Sequence, residues 1–515
     1  MSPIYQESHL NPYILLIALI AVAIAFLRNP IHMNYVRTNT LSSINNKDTD
    51  LHDLLVAPAR PARTDNALDY ARCAALHNKL VEHAWVAEGH EIKDLGQDSF
   101  FDHYDDQANA IREKLHPDLA AFLECIIVTE KLPPFYFWVE GISPPTFMFV
   151  DEESLHYHTP NDINRFLILY NMNPGIVGHA MGLIYDQQLH RATMALGIED
   201  IDFTQPVEEH DELWYPLESI LSNWWHMIQI GKITASRDIA PNEKYGPWIW
   251  HSYGQSQVNS TVASFERLTR AIEYRISPDK LLPSSNEPLL NHADLDEASV
   301  PNQCFIRSFL TSVRQPRFHK IAPGLVVPRD RTAFAANQRY TTVNRTSEFG
   351  AIVPPVLIFA SAERRHVGLV SDVPYISINP FCPTFNKYMP SNDQPVLAGL
   401  YSESVELFAT DNAEEGFRLL LPFPFRTAWE EHGARKSDMS LVEANSVADL
   451  FQHGFKPFGG EWWRAQRLER LFDAWTHLVE SGVWGVGDNG VEGDIDTFKE
   501  ADRGRWADYR ISPTW

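Results

Sequence analysis

Ile176-Val-Gly-His-Ala-Met-Gly-Leu-Ile-Tyr-Asp-Gln-Gln-Leu-His-Arg-Ala-Thr-Met-Ala-Leu196 is the stretch on which the fold turns. It lacks proline, is rich in Ala, Leu and Met, and is followed by Gly197, so it reads as one helix with a glycine stop. At about 100° per residue, His179, Asp186 and His190 then fall within a narrow arc, because seven and eleven residues are nearly whole turns. Two imidazoles and a carboxylate on one face can act as an acid–base group, with Asp186 orienting His190, or can hold a metal. The competing reading is an ordinary solvated polar face. Just downstream, Glu208-Glu-His-Asp-Glu212 crowds carboxylates around His210, which can raise one another's proton affinity, although acidic residues ahead of a helix also complement its dipole. His179, Asp186, His190 and His210 are the candidate catalytic residues. No metal ligand is assigned and no cofactor is specified.

The neighbouring third of the chain is rich in tryptophan. Trp214, Trp224, Trp225, Trp248 and Trp250 can wall a pocket for a flat or apolar molecule, or pack the core. Leu217 to Ile230 and Val258 to Ile276 carry apolar residues at helical spacing. In the second, Val258, Val262, Phe265, Thr269, Ile272 and Ile276 form the stripe, Glu266, Arg267, Arg270 and Glu273 hold the opposite face, and Pro278 follows. Further helices are expected over Leu68 to His83, Asn109 to Glu130, Ile163 to Asn171, Cys304 to Val313 and Glu461 to Ser481. From 315 to 425 prolines become frequent and apolar runs short, as in Pro355 to Ala360, His366 to Val370, Tyr375 to Ile378, Val396 to Tyr401 and Phe417 to Leu421, which predicts strands. The aromatic-studded tail from Val483 to Trp515 is expected to clamp onto the body.

Upstream, Tyr13 to Leu27 is uncharged and apolar. It reads as a membrane anchor, short for a hydrocarbon core of about 30 Å, with a cleaved signal peptide as the main rival. Arg28 and Arg37 follow it and no Lys or Arg precedes it, so the positive-inside rule places the body in the cytosol, on a membrane of the endoplasmic-reticulum type. The layout expected is a tail over 1–12, an anchor over 13–27, a stem over 28–65, a helical domain over 66–314, a strand- and loop-rich region over 315–425 and a helical C-terminal region over 426–515. The fold class is mainly α (α+β), with a single transmembrane helix.

Charge and motif exclude several functions. With 67 acidic and 43 basic residues the net charge is −24, a field that repels nucleic acid in the absence of a basic stripe. Cys73, Cys125, Cys304 and Cys382 form neither a CxxC nor a Cys/His cluster. Phe455-Lys-Pro-Phe-Gly-Gly460 looks like the run before a cytochrome P450 haem ligand, but Glu461-Trp-Trp-Arg-Ala-Gln466 follows without a cysteine. Gly178-His-Ala-Met-Gly182 has nucleophile-elbow spacing with Ala180 in the serine's place. No HExxH, Walker A or GxGxxG pattern occurs.

Gly246-Pro-Trp-Ile-Trp250 ahead of the Val258–Arg275 helix, and Trp475 and Val479 followed by Gly482-Val-Trp484 and Gly490-Val-Glu-Gly493, resemble uncharacterised proteins of filamentous ascomycete fungi, some associated with secondary-metabolite gene clusters. The resemblance implies natural-product biosynthesis as the context and carries no site residue. The expected function is a membrane-anchored enzyme acting on a hydrophobic small molecule. The alternatives are a membrane-tethered accessory protein that holds other pathway enzymes together, and a lumenal type II glycosyltransferase, for which Asp200/Asp202, Asp294/Asp296 and Asp494/Asp496 supply Asp-x-Asp pairs.

Overall fold

In the computed structural model the 176–196 stretch contains two antiparallel strands and no helix among its described residues. The structure describes residues 50–129, 134–149, 164–173, 181–195, 207, 210–237, 245–341, 346–347, 350–369, 380–381, 395–406, 411–425, 432–460 and 464–514. Five strands run in sequence order as an antiparallel meander: β1 (Val139–Ile142), β2 (Phe166–Met172), β3 (Gly182–Asp186), β4 (Arg191–Met194) and β5 (Tyr215–Pro216). β3 lies at the centre and is buried at every residue, and β2 is buried at most of its positions. A strand covered on both faces shows a continuous apolar run in place of alternation, and such a run does not distinguish strand from helix. That is why the helices expected over 163–171 and 176–196 are corrected to strands. Gly182 sits where β2 and β3 approach closely at an irregularity in their register, and a Cβ there would run into the Tyr170 carbonyl.

Helices cover this sheet. α1 (Tyr70–Ala87) packs on α3 (Pro117–Cys125) and on α4 (Leu217–Gln229), which leaves the sheet directly from β5 and also contacts β4. Between α1 and α3 lies α2 (Phe100–Ile111), entered through a capping box in which the Ser99 hydroxyl accepts from the Asp102 N–H and the Asp102 carboxylate accepts from the Ser99 N–H. Replacing a serine N-cap by alanine leaves a helix donor without its side-chain partner. Ser99→Ala is therefore expected to lower stability by about 1 kcal/mol in urea unfolding, and no measurable change would show that α2 holds without its cap. α2 is kinked at Asp105, whose φ of 41° is rare for a residue with a side chain.

The second half builds the larger core. α5 (Gln255–Glu273) packs along α7 (Leu468–Glu480), with α6 (Phe305–Ser312) beside α5. Phe265, Phe309 and Phe472 interlock with ring centroids 5.2 to 5.8 Å apart. Strands Leu357–Ala360, Gly399–Ser402 and Phe417–Leu420 form a three-stranded antiparallel sheet that contributes to the same apolar core. The tail closes on it through Trp484, Phe498 and Tyr509. The helix expected over Asn109 to Glu130 is broken, because its register is interrupted by a 3-10 turn over Arg112–Lys114 and a restart at Pro117.

Residues Leu51–Trp515 form one compact unit. It mixes helices with several antiparallel sheets, which corrects the mainly helical class. The transmembrane helix expected within that fold is corrected as well: among the described residues no helix is long and apolar enough to cross a membrane. Residues 13–27 lie outside the described residues, and neither the single-pass placement nor the membrane partner drawn from them is carried further.

Candidate functional site

A cavity lies where α1, α2, the segment after α3 and the β1–β2 edge meet. It encloses about 390 Å³, within the range of small-molecule pockets. Val81, Ile127, Val128, Phe135, Ile142 and Pro144 supply apolar wall; His103, Tyr104, Thr129, Glu140 and Asn171 supply polar groups; His77 belongs to its lining as well. α1 positions His77 and Val81 one helical turn apart, and α2 brings His103 and Tyr104 just ahead of the Asp105 kink.

The geometry defines the role of His77. Its Nε2 lies 3.0 Å from the Ile127 carbonyl oxygen and its Nδ1 2.9 Å from the Tyr170 hydroxyl. A carbonyl only accepts, so Nε2 carries the proton and Nδ1 accepts from Tyr170. Burial pushes the imidazole down to about 4, with the Ile127 hydrogen bond opposing in part. The neutral ring stacks on Phe135 at 4.7 Å and meets Phe122 edge-on. His77 is thus a fixed aromatic plate with both nitrogens committed. The groups of the lining able to exchange protons with a bound molecule are His103, Tyr104 and Glu140; Glu140 is exposed and Tyr104 rests against Phe100 and His103.

The residues singled out from the sequence are distributed differently. Asp186 ends β3, where its Oδ2 accepts from Arg165 Nε and NH2 at 3.0 and 2.7 Å and its Oδ1 accepts from the Gln188 and Leu189 N–H groups. It holds the β3–β4 turn and does not orient His190. His190, with φ of 53°, closes that turn and places Nδ1 2.8 Å from the Tyr185 hydroxyl. Burial, then His116, lowers its proton affinity. His116 and Asp118, at the start of α3, are the neighbours that sequence reasoning missed: the rings of His116 and His190 pack edge-on at 4.3 Å. They stand far from His190 along the chain, and no local spacing signals the pairing. His210 accepts a hydrogen bond from the Trp214 indole at 3.2 Å. His179 lies outside the described residues.

The tryptophans form aromatic packing, and Trp224 backs the cavity wall by meeting Phe135 edge-on. Trp224 stacks on Tyr136 at 5.1 Å, Trp248 meets the same ring edge-on, Trp250 tilts over Trp138, Trp225 packs on His83, and Trp214 joins a separate cluster with Phe166. Each indole N–H has a partner: Trp224 donates to the Phe458 carbonyl, Trp225 to Leu76, Trp248 to Pro134, Trp250 to Asn412 and Trp214 to His210. None of the five lines the 390 Å³ cavity.

Beneath Trp138 and Trp250 lies a buried polar layer. Lys232 pairs with Glu415 at 2.8 Å, the Arg464 guanidinium pairs with Asp411 at 3.2 Å and sits 5.2 Å from both indole ring centres, and Arg418 pairs with Glu403. Burial, then Arg464, pushes Lys456 down to about 7. Gly459, at φ of 96°, lays the chain of 455–460 against the Trp138 ring. Of the Asp-x-Asp pairs, Asp294 and Asp494 cap their own short helices and Asp296 and Asp496 pair with Arg307 and Arg365; Asp200 and Asp202 lie outside the described residues.

Compared with known proteins, the chain matches no family model, no curated protein and no solved structure.

Proposed function

We propose that this chain is an enzyme of small-molecule metabolism that takes an apolar, ring-sized substrate into the cavity between α1, α2 and β1, in the secondary-metabolite context that the ascomycete resemblance implies. The observation that supports it is the lining: aliphatic and aromatic side chains with a few polar groups are the composition of a pocket that orients a mostly apolar ligand. His77 and Phe135 offer it a flat wall, and His103, Tyr104 and Glu140 are the groups that would bind its polar end or move a proton. The kink at Asp105 adds support, since residues held in sparsely populated conformations gather at functional sites.

The test is equilibrium binding of a neutral bicyclic probe, 2-naphthol, followed by its fluorescence. Saturable binding is expected, weakened about tenfold, or about 1.4 kcal/mol, by Val81→Phe, which grows the side chain into the cavity. A protein that shows no saturable binding, or whose binding ignores Val81→Phe, would leave the accessory-protein reading in place of the enzyme.

A further inference from the structure

We propose that His116, Asp118 and His190 form a binding site for a divalent transition metal of the zinc class, where the β3–β4 turn meets the first turn of α3. One ligand atom from each residue lies within 4.8 Å of the other two. Zn–N and Zn–O distances are about 2.0 to 2.2 Å, so tetrahedral ligand atoms stand roughly 3.3 Å apart. Side-chain rotation at His116 and Asp118 that moves their ligand atoms by about 1.5 Å closes the set. His116 is exposed and Asp118 half-buried, so both have room to turn, while His190 is buried and held.

The surroundings resemble the support that metal sites need. The Tyr185 hydroxyl at 2.8 Å engages His190 Nδ1; accepting from Nδ1–H, it leaves the Nε2 lone pair for a metal, the arrangement in which an outer partner sets the tautomer of a ligating histidine. His116 Nδ1 accepts from the Asp118 N–H at a long 3.3 Å, capping α3, and lies 4.0 Å from the Asp118 carboxylate. The turn that carries His190 is fastened to α3 by Gln187, whose Oε1 accepts from the His116 N–H at 2.8 Å and whose Nε2 donates to the Lys114 carbonyl at 3.0 Å. Asp186 and Arg165 brace the same turn from the other side. The backbone positions of His116 and His190 are therefore fixed relative to one another without the metal.

Two imidazoles and one carboxylate suit zinc, cobalt, nickel or iron(II) and not calcium or magnesium, which take oxygen ligands. Three protein ligands leave a coordination position for water or a ligand oxygen. The site shares no residue with the 390 Å³ cavity, so either reading can fail without the other.

The experiment uses the full chain, stripped with EDTA and returned to metal-free buffer, and titrates Zn²⁺ by calorimetry and Co²⁺ by visible absorption. Saturable binding with an equimolar endpoint is expected, with Co²⁺ bands that excess Zn²⁺ abolishes. Outer-shell changes at metal sites cost about 10- to 100-fold in affinity, so loss of a ligand in His116→Ala or Asp118→Asn is expected to cost at least about tenfold. Both substitutions are near the surface, and an unchanged circular dichroism spectrum confirms that they fold. Absence of saturable binding in the unmodified chain, or a variant that binds as tightly as the unmodified chain, overturns the proposal.

Discussion

As pH falls from 6.5 toward 4 the folded body is expected to lose most of its stability, because several imidazoles are buried neutral. His77 and His226 are pushed down to about 4, His77 by burial alone and His226 by burial and then Arg467 and Arg470. Burial also lowers His83, His190, His251 and, most strongly, His453, whose two ring nitrogens have no hydrogen-bond partner among the described residues. An unfolded histidine takes up its proton near 6.5, whereas folded His77 and His226 resist until about 4, so within that window the unfolded state binds more protons and acid favours it. Above 6.5 the contribution is fully present. For His77 the span of 6.5 − 4 corresponds to about 3 kcal/mol, against a total of about 5 to 15 kcal/mol for a folded domain. Glu403 and Glu414 act in the opposite sense, since burial raises their proton affinity in the folded state.

Urea unfolding at a series of pH values from 7 to 4.5 measures the slope. His77→Gln retains a donor for the Ile127 carbonyl and an acceptor for Tyr170. It should flatten the slope by up to about 1.4 kcal/mol per pH unit, one proton's worth. A slope unaltered by His77→Gln would mean that this imidazole is not kept neutral by the fold.

Lys232→Met is expected to destabilise the protein by about 3 to 5 kcal/mol, because it strands the Glu415 carboxylate in the interior. Lys232 and Glu415 are 0% and 2% exposed, joined at 2.8 Å, and the Lys232 ammonium also donates to the Ser252 carbonyl and lies 5.1 Å from the Trp250 ring centre. Desolvating two charges costs as much as their attraction returns, so the pair adds little net stability although either half alone is costly. Lys232→Met combined with Glu415→Leu should therefore recover most of the loss. Denaturant unfolding of the three variants decides it: a single substitution within about 1 kcal/mol of the parent, or a double variant as unstable as the sum of the singles, contradicts the buried-pair account.

Elements that bury one face were legible along the chain. The stripe read over Val258 to Ile276 corresponds to α5, Leu217 to Ile230 corresponds to α4, and the short apolar runs at Pro355 to Ala360 and Phe417 to Leu421 contain strands. Where a segment is covered on both sides, periodicity vanishes, and the apolar runs over Ile163 to Asn171 and Ile176 to Leu196 look helical along the chain for that reason. Of the candidate catalytic residues, the arc joining Asp186 to His190 depended on a helix that the strands replace. The two remain near one another because His190 is the last residue of the four-residue turn that follows Asp186 and leads into β4.

By itself the sequence determined the acidic net charge, the alanine at 180 within the Gly178–Gly182 spacing, the lack of a cysteine over 461–466, and the amphipathic helices, since these follow from composition and local spacing. Which residues meet was decided by tertiary structure alone. His190 finds His116 and Asp118 through a turn packed on a helix start, and His77 finds Tyr170 and Phe135 across α1 and β2. The physical reason is that side-chain chemistry acts over a few ångströms in space, and covering a buried central strand with helices brings together groups that no local spacing relates.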